Sequence, residues 1–339
     1  MLYFSEHNYR GNHAGTKARN DVEEILKNSG GKPINKKQFI LQTYGNEENI
    51  QSNVRNRMDL WKLYFDSWKV RNETVIIQYP ILGFDFQKEL FQIIRKNNRL
   101  VLLVHDIHSL RIPNGQKLQR EIEILNMAGD LIIHNRFMED KLKTLGVQVP
   151  MFTLNLFDYL CNNEQNYKDK ELNKSVAFAG NLGKSSFLPE MLKTNPSVKF
   201  QLYGNGWNEE STFENAVFHG SFSPDEIPGI LRGSFGLVWD GTGTKSGEGP
   251  LGEYMKINNP HKLSLYIAAG VPVIVWKKAA VAEFVNTNQI GIIVDQVNTL
   301  EKTLECVTNE QYKEMLQNVN KIRERIISGD YLGSVVAKL

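Results

Sequence analysis

Short apolar segments alternate with longer amphipathic segments along almost the whole chain. The apolar segments are continuous and rich in β-branched residues, as expected for strands of a parallel sheet that is covered on both faces. The segments between them repeat apolar residues at helical spacing, and several end in glycine. In the first half of the chain the predicted strands are 2–4, 39–44, 74–79, 100–106, 131–135 and 151–156. In the second half they are 175–180, 199–204, 216–220, 235–240, 271–276 and 291–295.

A polar segment, residues 161–174, separates the two series of strands and is typical of a linker. We therefore predict an α/β fold with two doubly wound, Rossmann-like domains that face a cleft. The predicted domains are 1–165 and 166–310, followed by a C-terminal segment, 311–339, that would pack back toward the first domain. A charged amphipathic pattern predicts a long helix from Asn309 to Ser328. In such folds ligands bind beyond the carboxyl ends of the strands, so the loops there form the candidate site.

Composition narrows the class of protein. The chain has 339 residues, enough for two domains, and its 41% apolar and 23% charged residues describe a globular protein. A formal net charge of only +2 gives no strong field for nucleic acid, so no nucleic-acid partner is expected. Two cysteines cannot build a disulfide framework, and no Cys/His cluster suggests zinc.

The sequence also bears on where the protein acts. Its first residues lack a signal-peptide pattern, and no apolar run approaches the roughly 20 residues that a membrane-spanning helix needs. We therefore expect a cytoplasmic protein. Peripheral contact with the inner face of the membrane and assembly into a homo-oligomer stay open.

The segment NNPHKLSLYIAAGVPVIVW, residues 258–276, predicts a helix that runs into a strand. Pro260 suits the first helical position after an asparagine cap, and His261 and Lys262 then lie in the first turn. Since the amino end of a helix already carries partial positive charge, a lysine there is mildly unfavourable unless an anion binds. The arrangement favours an anion site, for a diphosphate in particular. An ordinary surface lysine is the alternative.

Two further turns follow the first strand of each series. After strand 175–180, Asn181 and Lys184 lie among glycines that let a phosphate approach the backbone. A plain strand-to-helix turn explains the same pattern equally well. After the first strand of the chain, Gly15 allows a close approach, and Thr16 either reaches a ligand or caps the next helix.

Strand 100–106 ends with His105 and Asp106, and His108 follows closely. A carboxylate beside imidazoles at the ligand-facing edge of a sheet could act as a general base on an acceptor hydroxyl. Structural ion pairs and hydrogen-bonded histidines are the alternative.

The long polar segment 240–260, which begins with Asp240, separates a strand from the helix that carries Lys262. Its length and its glycines suggest a mobile lid over a ligand, although its glutamates could be merely solvated.

Residues 59–70 carry four aromatic side chains at helical spacing, which are Trp61, Tyr64, Phe65 and Trp68. Packing in the core is the expected role of these rings. Shallow docking on a membrane or on a lipid-linked acceptor is the alternative.

At these residues the chain resembles the bacterial GT-B glycosyltransferases. It is most similar to a group that contains β-1,6-galactofuranosyltransferases of surface-polysaccharide clusters and glucosyltransferases that extend glycans on streptococcal adhesins. The resemblance is strongest from 235 to 276 and is carried by the segments 74–80, 101–107, 177–185, 235–241 and 252–276.

The resemblance implies a UDP-sugar donor held mainly by the second domain, with a glycan acceptor, in one variant lipid-linked, facing the first. It also implies that Lys262 and Lys184 contact the diphosphate and that Thr16 lies at the donor. No metal ion or other cofactor is expected, in agreement with the absence of a DxD motif. The donor-binding candidates are Gly15, Thr16, Asn181, Lys184, Tyr203, Asp240, Pro260, His261 and Lys262.

Many retaining members carry a pair of glutamates seven residues apart, but the second position here is Leu265. Inversion by direct displacement is therefore favoured, with Asp106 and the adjacent His105 as the catalytic candidates. The expected function is transfer of galactofuranose from UDP to a glycan hydroxyl in cell-surface polysaccharide synthesis. The alternatives are a UDP-glucose-dependent transferase that acts on an adhesin glycoprotein, and a non-catalytic nucleotide-sugar-binding partner of another transferase.

Overall fold

Each half of the chain builds a parallel six-stranded sheet whose strands are connected by helices, as the apolar pattern predicts. The computed structural model describes residues 1–8, 14–35, 39–41, 62, 64–81, 87–161, 170–208 and 213–339. They form two compact units. The first contains the described residues of Met1–Gly11, Ala18–Leu154 and Leu332–Leu339, and the second contains those of Asn12–Lys17 and Asn155–Tyr331.

The first unit is built on an open parallel sheet. The strands in this part of the chain are β1 (Leu2–Tyr3), β2 (Glu6–Asn8), β3 (Lys32–Pro33), β4 (Phe39–Leu41), β5 (Thr74–Tyr79), β6 (Arg99–Val104), β7 (Asp130–Ile133) and β8 (Met151–Thr153). Six of them form a sheet in the order β3-β1-β5-β6-β7-β8, and β2 pairs with β4 separately. The helices in this part are α1 (Ala14–Asn28), α2 (64–69, with Lys62 also helical), α3 (Gln87–Arg95), α4 (His108–Arg111), α5 (Gly115–Leu125) and α6 (Arg136–Thr144).

The second unit has the strand order typical of a dinucleotide-binding fold. Its strands are β9 (Ser175–Ala179), β10 (Lys199–Tyr203), β11 (Ala216–Phe218), β12 (Phe235–Val238), β13 (Val273–Trp276) and β14 (Gly291–Val294). They lie in the order β11-β10-β9-β12-β13-β14. The chain therefore reverses its direction of winding between β9 and β12, and ligands in such sheets bind at this switch point.

Helices of several lengths complete the second half of the chain. They are α7 (Leu188–Thr194), α8 (Ile227–Ile230), α9 (Gly249–Met255), α10 (His261–Ala268), α11 (Val281–Asn288), α12 (Leu300–Glu305), α13 (Asn309–Ser328) and α14 (Asp330–Val336). None of the helices within the described ranges is long and apolar enough to cross a membrane.

Close packing holds α10 against the second sheet. Tyr266 of α10 is fully buried, and its hydroxyl accepts a hydrogen bond of 2.8 Å from the backbone N–H of Ala179. Its ring lies on Gly236 of β12, where a Cβ atom would come within 2.2 Å of the ring Cγ. A glycine at this position therefore sets the distance between the helix and the strand.

The structure corrects the sequence prediction at several element ends. Helix α10 begins at His261, so Pro260 is its N-cap residue and not its first helical residue. Thr16 is the third residue of α1 and not its cap. The segment 240–260 contains helix α9, which the glycine-rich pattern concealed. The two-residue strand β3 and the helix α14 were not predicted, whereas the helix from Asn309 to Ser328 is confirmed.

Three predicted segments extend beyond the described part of the chain. Residues 42–44 of the predicted strand 39–44, residues 59–61 (with Trp61) and 63 of the aromatic segment 59–70, and residues 162–169 of the predicted linker lie outside the described residues. The predicted domain boundary between residues 165 and 166 falls in the linker segment and stays a prediction.

Candidate functional site

The switch point of the second sheet holds a lysine. Gly180 directly follows β9, Asp240 comes two residues after the end of β12, and Lys262 lies in the first turn of α10. The Lys262 ammonium donates hydrogen bonds to the Asp240 carboxylate at 2.7 Å and to the backbone oxygen of Trp239 at 3.0 Å. Residues that are 22 positions apart in the chain thus meet where this class of sheet binds its ligands.

The Lys262 side chain is held from several sides. Its Nζ atom lies 4.7 Å from the centroid of the Phe178 ring, within the range of a cation–π contact. A Cβ atom at position 180 would lie 3.0 Å from its Cε atom, so Gly180 leaves the room that the lysine occupies. The side chain is 16% exposed, against 33% for Asp240. The ammonium is therefore ordered but still within reach of a ligand.

Glycines bring two neighbouring turns into backbone contact beside this lysine. Gly204, with φ of +130°, follows β10, and a Cβ atom there would lie 1.8 Å from the backbone oxygen of Gly180. At Gly206, with φ of +84°, a Cβ atom would lie 2.8 Å from the backbone nitrogen of Gly183. No side chain other than glycine fits this contact without a shift of the backbone. The turn therefore presents main-chain atoms to any ligand at the switch point.

The same turn carries two predicted donor-binding residues. The Asn181 side chain accepts a hydrogen bond of 3.1 Å from the backbone N–H of Lys184, which closes a short 3-10 helix over residues 182–184. Both residues are exposed. Lys184 is thus placed on the same turn as Gly180.

The loop from Asp240 to Glu248 is fastened to the body of the second unit. The backbone N–H of Thr242 donates to the backbone oxygen of Glu248 at 3.1 Å. The Trp239 indole N–H donates to the backbone oxygen of Gly243 at 3.1 Å. The Glu248 carboxylate accepts a hydrogen bond of 3.0 Å from the Ser246 hydroxyl. These contacts hold the loop in place, and its role as a lid stays a prediction.

In the first unit, His105 and Asp106 lie at the carboxyl end of β6. The Asp106 carboxylate accepts a hydrogen bond of 2.9 Å from Arg111, and the two side chains are 31% and 44% exposed. The His105 Nε2 atom lies 2.7 Å from the side-chain oxygen of Gln78. A solvent-accessible carboxylate at this edge is available to take a proton from a substrate hydroxyl.

A second histidine, His134, contacts the backbone of the segment that carries His105 and Asp106. His134 follows β7, and its Nε2 atom lies 3.1 Å from the backbone oxygens of both Val104 and His105. Because both partners accept, this nitrogen carries the hydrogen. Burial lowers the pKa of His134 to about 4, although the nearby Asp106 opposes this effect. His134 is therefore neutral near pH 7 and holds the backbone that presents Asp106.

A buried carboxylate holds the turn that follows Asp106. Glu121 of α5 is 6% exposed and accepts hydrogen bonds from the backbone N–H groups of His108 at 3.1 Å and Ser109 at 2.9 Å. It also accepts a hydrogen bond of 3.1 Å from the Tyr79 hydroxyl. Glu121 thus satisfies the first N–H groups of α4.

Comparison with known proteins gives matches over both units. Residues 2–156 match the N-terminal domain model of the Glucosyltransferase 3-like proteins, and residues 176–339 match the C-terminal domain model. The β-1,6-galactofuranosyltransferase WbbI of Escherichia coli strain K12 is 33% identical over 249 residues, which are 71% of this chain and 71% of that protein. The chain belongs to the Glucosyltransferase 3-like family. It is a glycosyltransferase.

A further relative and two solved structures complete the comparison. Glucosyltransferase 3 of Streptococcus gordonii is 26% identical over 90% of this chain and 87% of that protein. The structure of sucrose-phosphate synthase from Thermosynechococcus elongatus aligns with a TM-score of 0.64 at 12% identity, covering 99% of this chain and 96% of that one. The structure of Anabaena HepE with UDP and glucose aligns with a TM-score of 0.59 at 13% identity, covering 99% and 98%. The Glucosyltransferase 3-like chain thus has the predicted GT-B fold.

Two predicted donor residues of this glycosyltransferase pack inside the second unit. Tyr203 is 1% exposed, its hydroxyl accepts a hydrogen bond of 2.9 Å from the backbone of Arg232, and its ring stacks on His219 at 4.7 Å. The His261 ring lies 5.4 Å from the Phe157 ring. Both side chains thus have structural contacts, and their contact with a donor stays a prediction.

The first turn of α1 carries the remaining predicted donor residues. Gly15 is exposed, whereas Thr16 is only 5% exposed. The next residue, Lys17, contacts the Asp225 carboxylate at 2.7 Å and the backbone oxygen of Leu160 at 2.6 Å. Sequence reasoning did not select Lys17, since a lysine in an amphipathic helix ordinarily faces water.

Sequence reasoning also missed Gln78, Arg111, Glu121 and His134. His134 was within its reach, because residues 131–135 were predicted as the strand after 100–106, and neighbouring parallel strands end at the same edge of a sheet. Among the residues that the structure describes, no three His, Cys, Asp or Glu side chains are grouped so as to hold a metal ion.

Proposed function

We propose that this glycosyltransferase moves galactofuranose from UDP-galactofuranose to a hydroxyl of a glycan acceptor in cell-surface polysaccharide synthesis. The observation that carries the proposal is the Lys262 ammonium at the switch point, beside the backbone of Gly180. A cation next to exposed main chain at the amino end of a helix suits a diphosphate. The choice of sugar is supported by the Escherichia coli relative, which is named as a galactofuranosyltransferase.

The proposed reaction is a direct displacement that inverts the anomeric carbon. Asp106 takes the proton of the acceptor hydroxyl, whose oxygen bonds to the anomeric carbon while the bond from that carbon to UDP breaks. His105, hydrogen-bonded to Gln78, helps to orient the acceptor. Lys262, Lys184 and the amino end of α10 stabilise the negative charge on the departing UDP. These groups supply the positive charge that a divalent cation would otherwise provide, so the reaction needs no metal.

A UDP-glucose donor is the second candidate. It is supported by the Streptococcus gordonii relative, which is named as a glucosyltransferase and aligns with a larger share of this chain than the Escherichia coli relative does. We also propose that the enzyme acts in the cytoplasm, since its two cysteines cannot build a disulfide framework.

A melting-temperature titration tests the donor site without an acceptor. The wild type and the Lys262→Met variant are titrated with UDP, GDP, UDP-glucose and UDP-galactofuranose. A ligand that binds only the folded state adds roughly 2.7 kcal/mol of stability at a hundredfold excess over Kd. We expect UDP species but not GDP to raise the melting temperature, more strongly with UDP-galactofuranose, and Lys262→Met to reduce the shift. No shift with any of them would refute the proposal.

Transfer assays then test the chemistry. Product from UDP-galactofuranose should form equally in the presence and absence of EDTA, and its anomeric configuration should be opposite to that of the donor. Product that forms only from UDP-glucose would select the second candidate. Activity that is lost in EDTA and restored by a divalent ion would contradict the metal-independent mechanism.

A further inference from the structure

Two large aromatic side chains of α2 face solvent in the first unit. Phe65 is 55% exposed and Trp68 is 56% exposed, so the expectation of core packing is wrong for these two rings. Tyr64 is half-buried, and Trp61 lies outside the described residues. The Phe65 and Trp68 rings stack with their centroids 6.4 Å apart and their planes 18° from parallel. They form one continuous apolar area, and exposed apolar areas of this kind commonly mark an interaction site.

Cations surround this pair of rings. The Lys69 ammonium lies 3.9 Å from the Phe65 ring centroid, and the Arg71 guanidinium lies 5.6 Å from the Trp68 ring centroid. Lys62 is also exposed in the same helix. The rings and the charges therefore belong to one surface and not to separate sides of the helix.

Hydrogen bonds join the end of α2 to the end of α3 and extend this surface. The backbone N–H of Asn72 donates to the Asn97 oxygen at 2.9 Å, and the Asn98 side chain donates to the Val70 oxygen at 3.0 Å. These bonds hold the end of α3, which carries the exposed cations Arg95 and Lys96, next to the end of α2. The basic–aromatic surface consists of Lys62, Phe65, Trp68, Lys69, Arg71, Arg95 and Lys96.

Acidic residues offset part of this charge. Glu89 of α3 is exposed and lies near Tyr64 of α2. Asp66 is half-buried on the same helix. The Glu73 carboxylate lies 3.1 Å from the amino group of Met1, which neutralises it. Two cations thus contact the exposed aromatic rings, and three more exposed cations lie on α2 and at the end of α3, in a chain whose formal net charge is only +2.

We propose that the basic–aromatic surface docks this enzyme onto a membrane that contains anionic lipid. Tryptophan and phenylalanine insert at the level of the headgroups, while lysine and arginine next to them attract anionic phosphates. A second copy of the chain fits less well, because a symmetric contact would bring the same cations face to face.

The surface lies at the end of the first sheet opposite to the candidate acid–base group. It adjoins Thr74 and Arg99, the first residues of β5 and β6, whereas Asp106 follows the last residue of β6. Six residues of strand separate the two ends, which is a distance of about 20 Å. Substitutions on the surface should therefore leave donor binding unchanged. This makes the membrane proposal testable separately from the proposed function.

Co-sedimentation with vesicles tests the proposal. The full chain is mixed with vesicles of phosphatidylcholine alone or of phosphatidylcholine with phosphatidylglycerol, at low and high salt. We expect binding only to the anionic vesicles and weaker binding at high salt. The double variants Phe65→Ser with Trp68→Ser, and Lys69→Glu with Arg71→Glu, should each lose roughly tenfold or more of the binding.

Matched variants on the second unit serve as controls. Val217→Ser removes a side chain that is 50% exposed, and Lys277→Glu with Lys278→Glu reverses two exposed cations. Both should bind anionic vesicles as the wild type does, and all variants should keep the wild-type melting temperature and its shift with UDP.

Three results would overturn the proposal. They are equal binding to both kinds of vesicle, no binding to either by folded protein, and binding that survives both double substitutions on the surface. A concentration-dependent dimer that is dissolved by Phe65→Ser with Trp68→Ser, without vesicle binding, would instead assign the surface to a second copy.

Discussion

Replacing Gly180 with alanine tests whether Lys262 binds the ligand, with little effect on folding. Its φ is not in the left-handed region, so alanine can adopt the same backbone conformation. The added Cβ atom would meet Lys262 Cε at 3.0 Å and Nζ at 3.7 Å, and no other heavy atom within 4 Å. Gly180→Ala should therefore displace the end of one flexible side chain and leave the backbone unchanged.

The size of the effect follows from these contacts. Relief of the overlap needs a shift of about half an ångström, enough to lengthen the 2.7 Å hydrogen bond between Lys262 and Asp240. The pair is partly exposed, so the free energy of unfolding should fall by no more than about 1 kcal/mol. A displaced ammonium should lose much of a charge-assisted bond to phosphate worth about 1.5–3 kcal/mol, which is roughly a tenfold to hundredfold rise in the Kd for UDP.

The assay pairs calorimetric titration of UDP with urea unfolding for three glycine variants. Gly115→Ala is the neutral control, because its Cβ atom would meet nothing within 4 Å. Gly204→Ala is the opposite control, since its Cβ atom would lie 1.8 Å from the Gly180 oxygen and should disrupt the fold itself. Wild-type UDP affinity in Gly180→Ala would refute the assignment of Lys262 to the diphosphate.

Other predictions address the fold and the chemistry. Gly236→Ala should lower the free energy of unfolding in urea by at least ~2 kcal/mol, because its Cβ atom would lie 2.2 Å from the buried Tyr266 ring; a change below half of this would contradict the packing. The pKa of His134 is about 4 when folded and 6.5 when exposed, so the unfolded state takes up the proton first. Stability should therefore fall by about 3 kcal/mol as the pH drops from 6.5 to 4, and His134→Gln should flatten this dependence in urea titrations. Glu121→Ala should cost about 1–3 kcal/mol and weaken transfer, since three donors lose their acceptor, whereas an unchanged urea midpoint would contradict this role. Asp106→Asn should abolish transfer and leave the UDP-induced melting shift intact, and retained turnover would remove Asp106 from the mechanism.

Most strands and helices of the fold could be predicted from the local pattern of apolar residues. A continuous apolar run such as that of β6 indicates a strand that is buried on both faces. The long helix from Asn309 to Ser328 shows the helical period of apolar residues in its sequence, together with its capping residue Thr308. The two-residue strand β3 leaves no pattern of that kind, because both of its residues are exposed. Helix α9 was concealed because its glycines are also typical of a loop.

The sequence predicted which residue types form the candidate site, but not which of these residues contact each other. The sequence places Lys262 at the start of a helix and Asp240 after a strand, yet only the reversal of winding between β9 and β12 brings them together. The supports of Asp106 come from other elements, with Glu121 on α5 and His134 after β7. Exposure was the least predictable property, since helical spacing alone cannot tell that Phe65 and Trp68 face water.

The contacts of Lys262 also bear on the entropy of ligand binding. A lysine side chain that becomes ordered loses up to about 2 kcal/mol of rotamer freedom. The Asp240 carboxylate, the Trp239 oxygen and the Phe178 ring already restrict this side chain in the folded protein. This side chain therefore loses its rotamer freedom when the protein folds and not when the ligand binds. An anion that arrives at the switch point meets a cation whose position is already fixed.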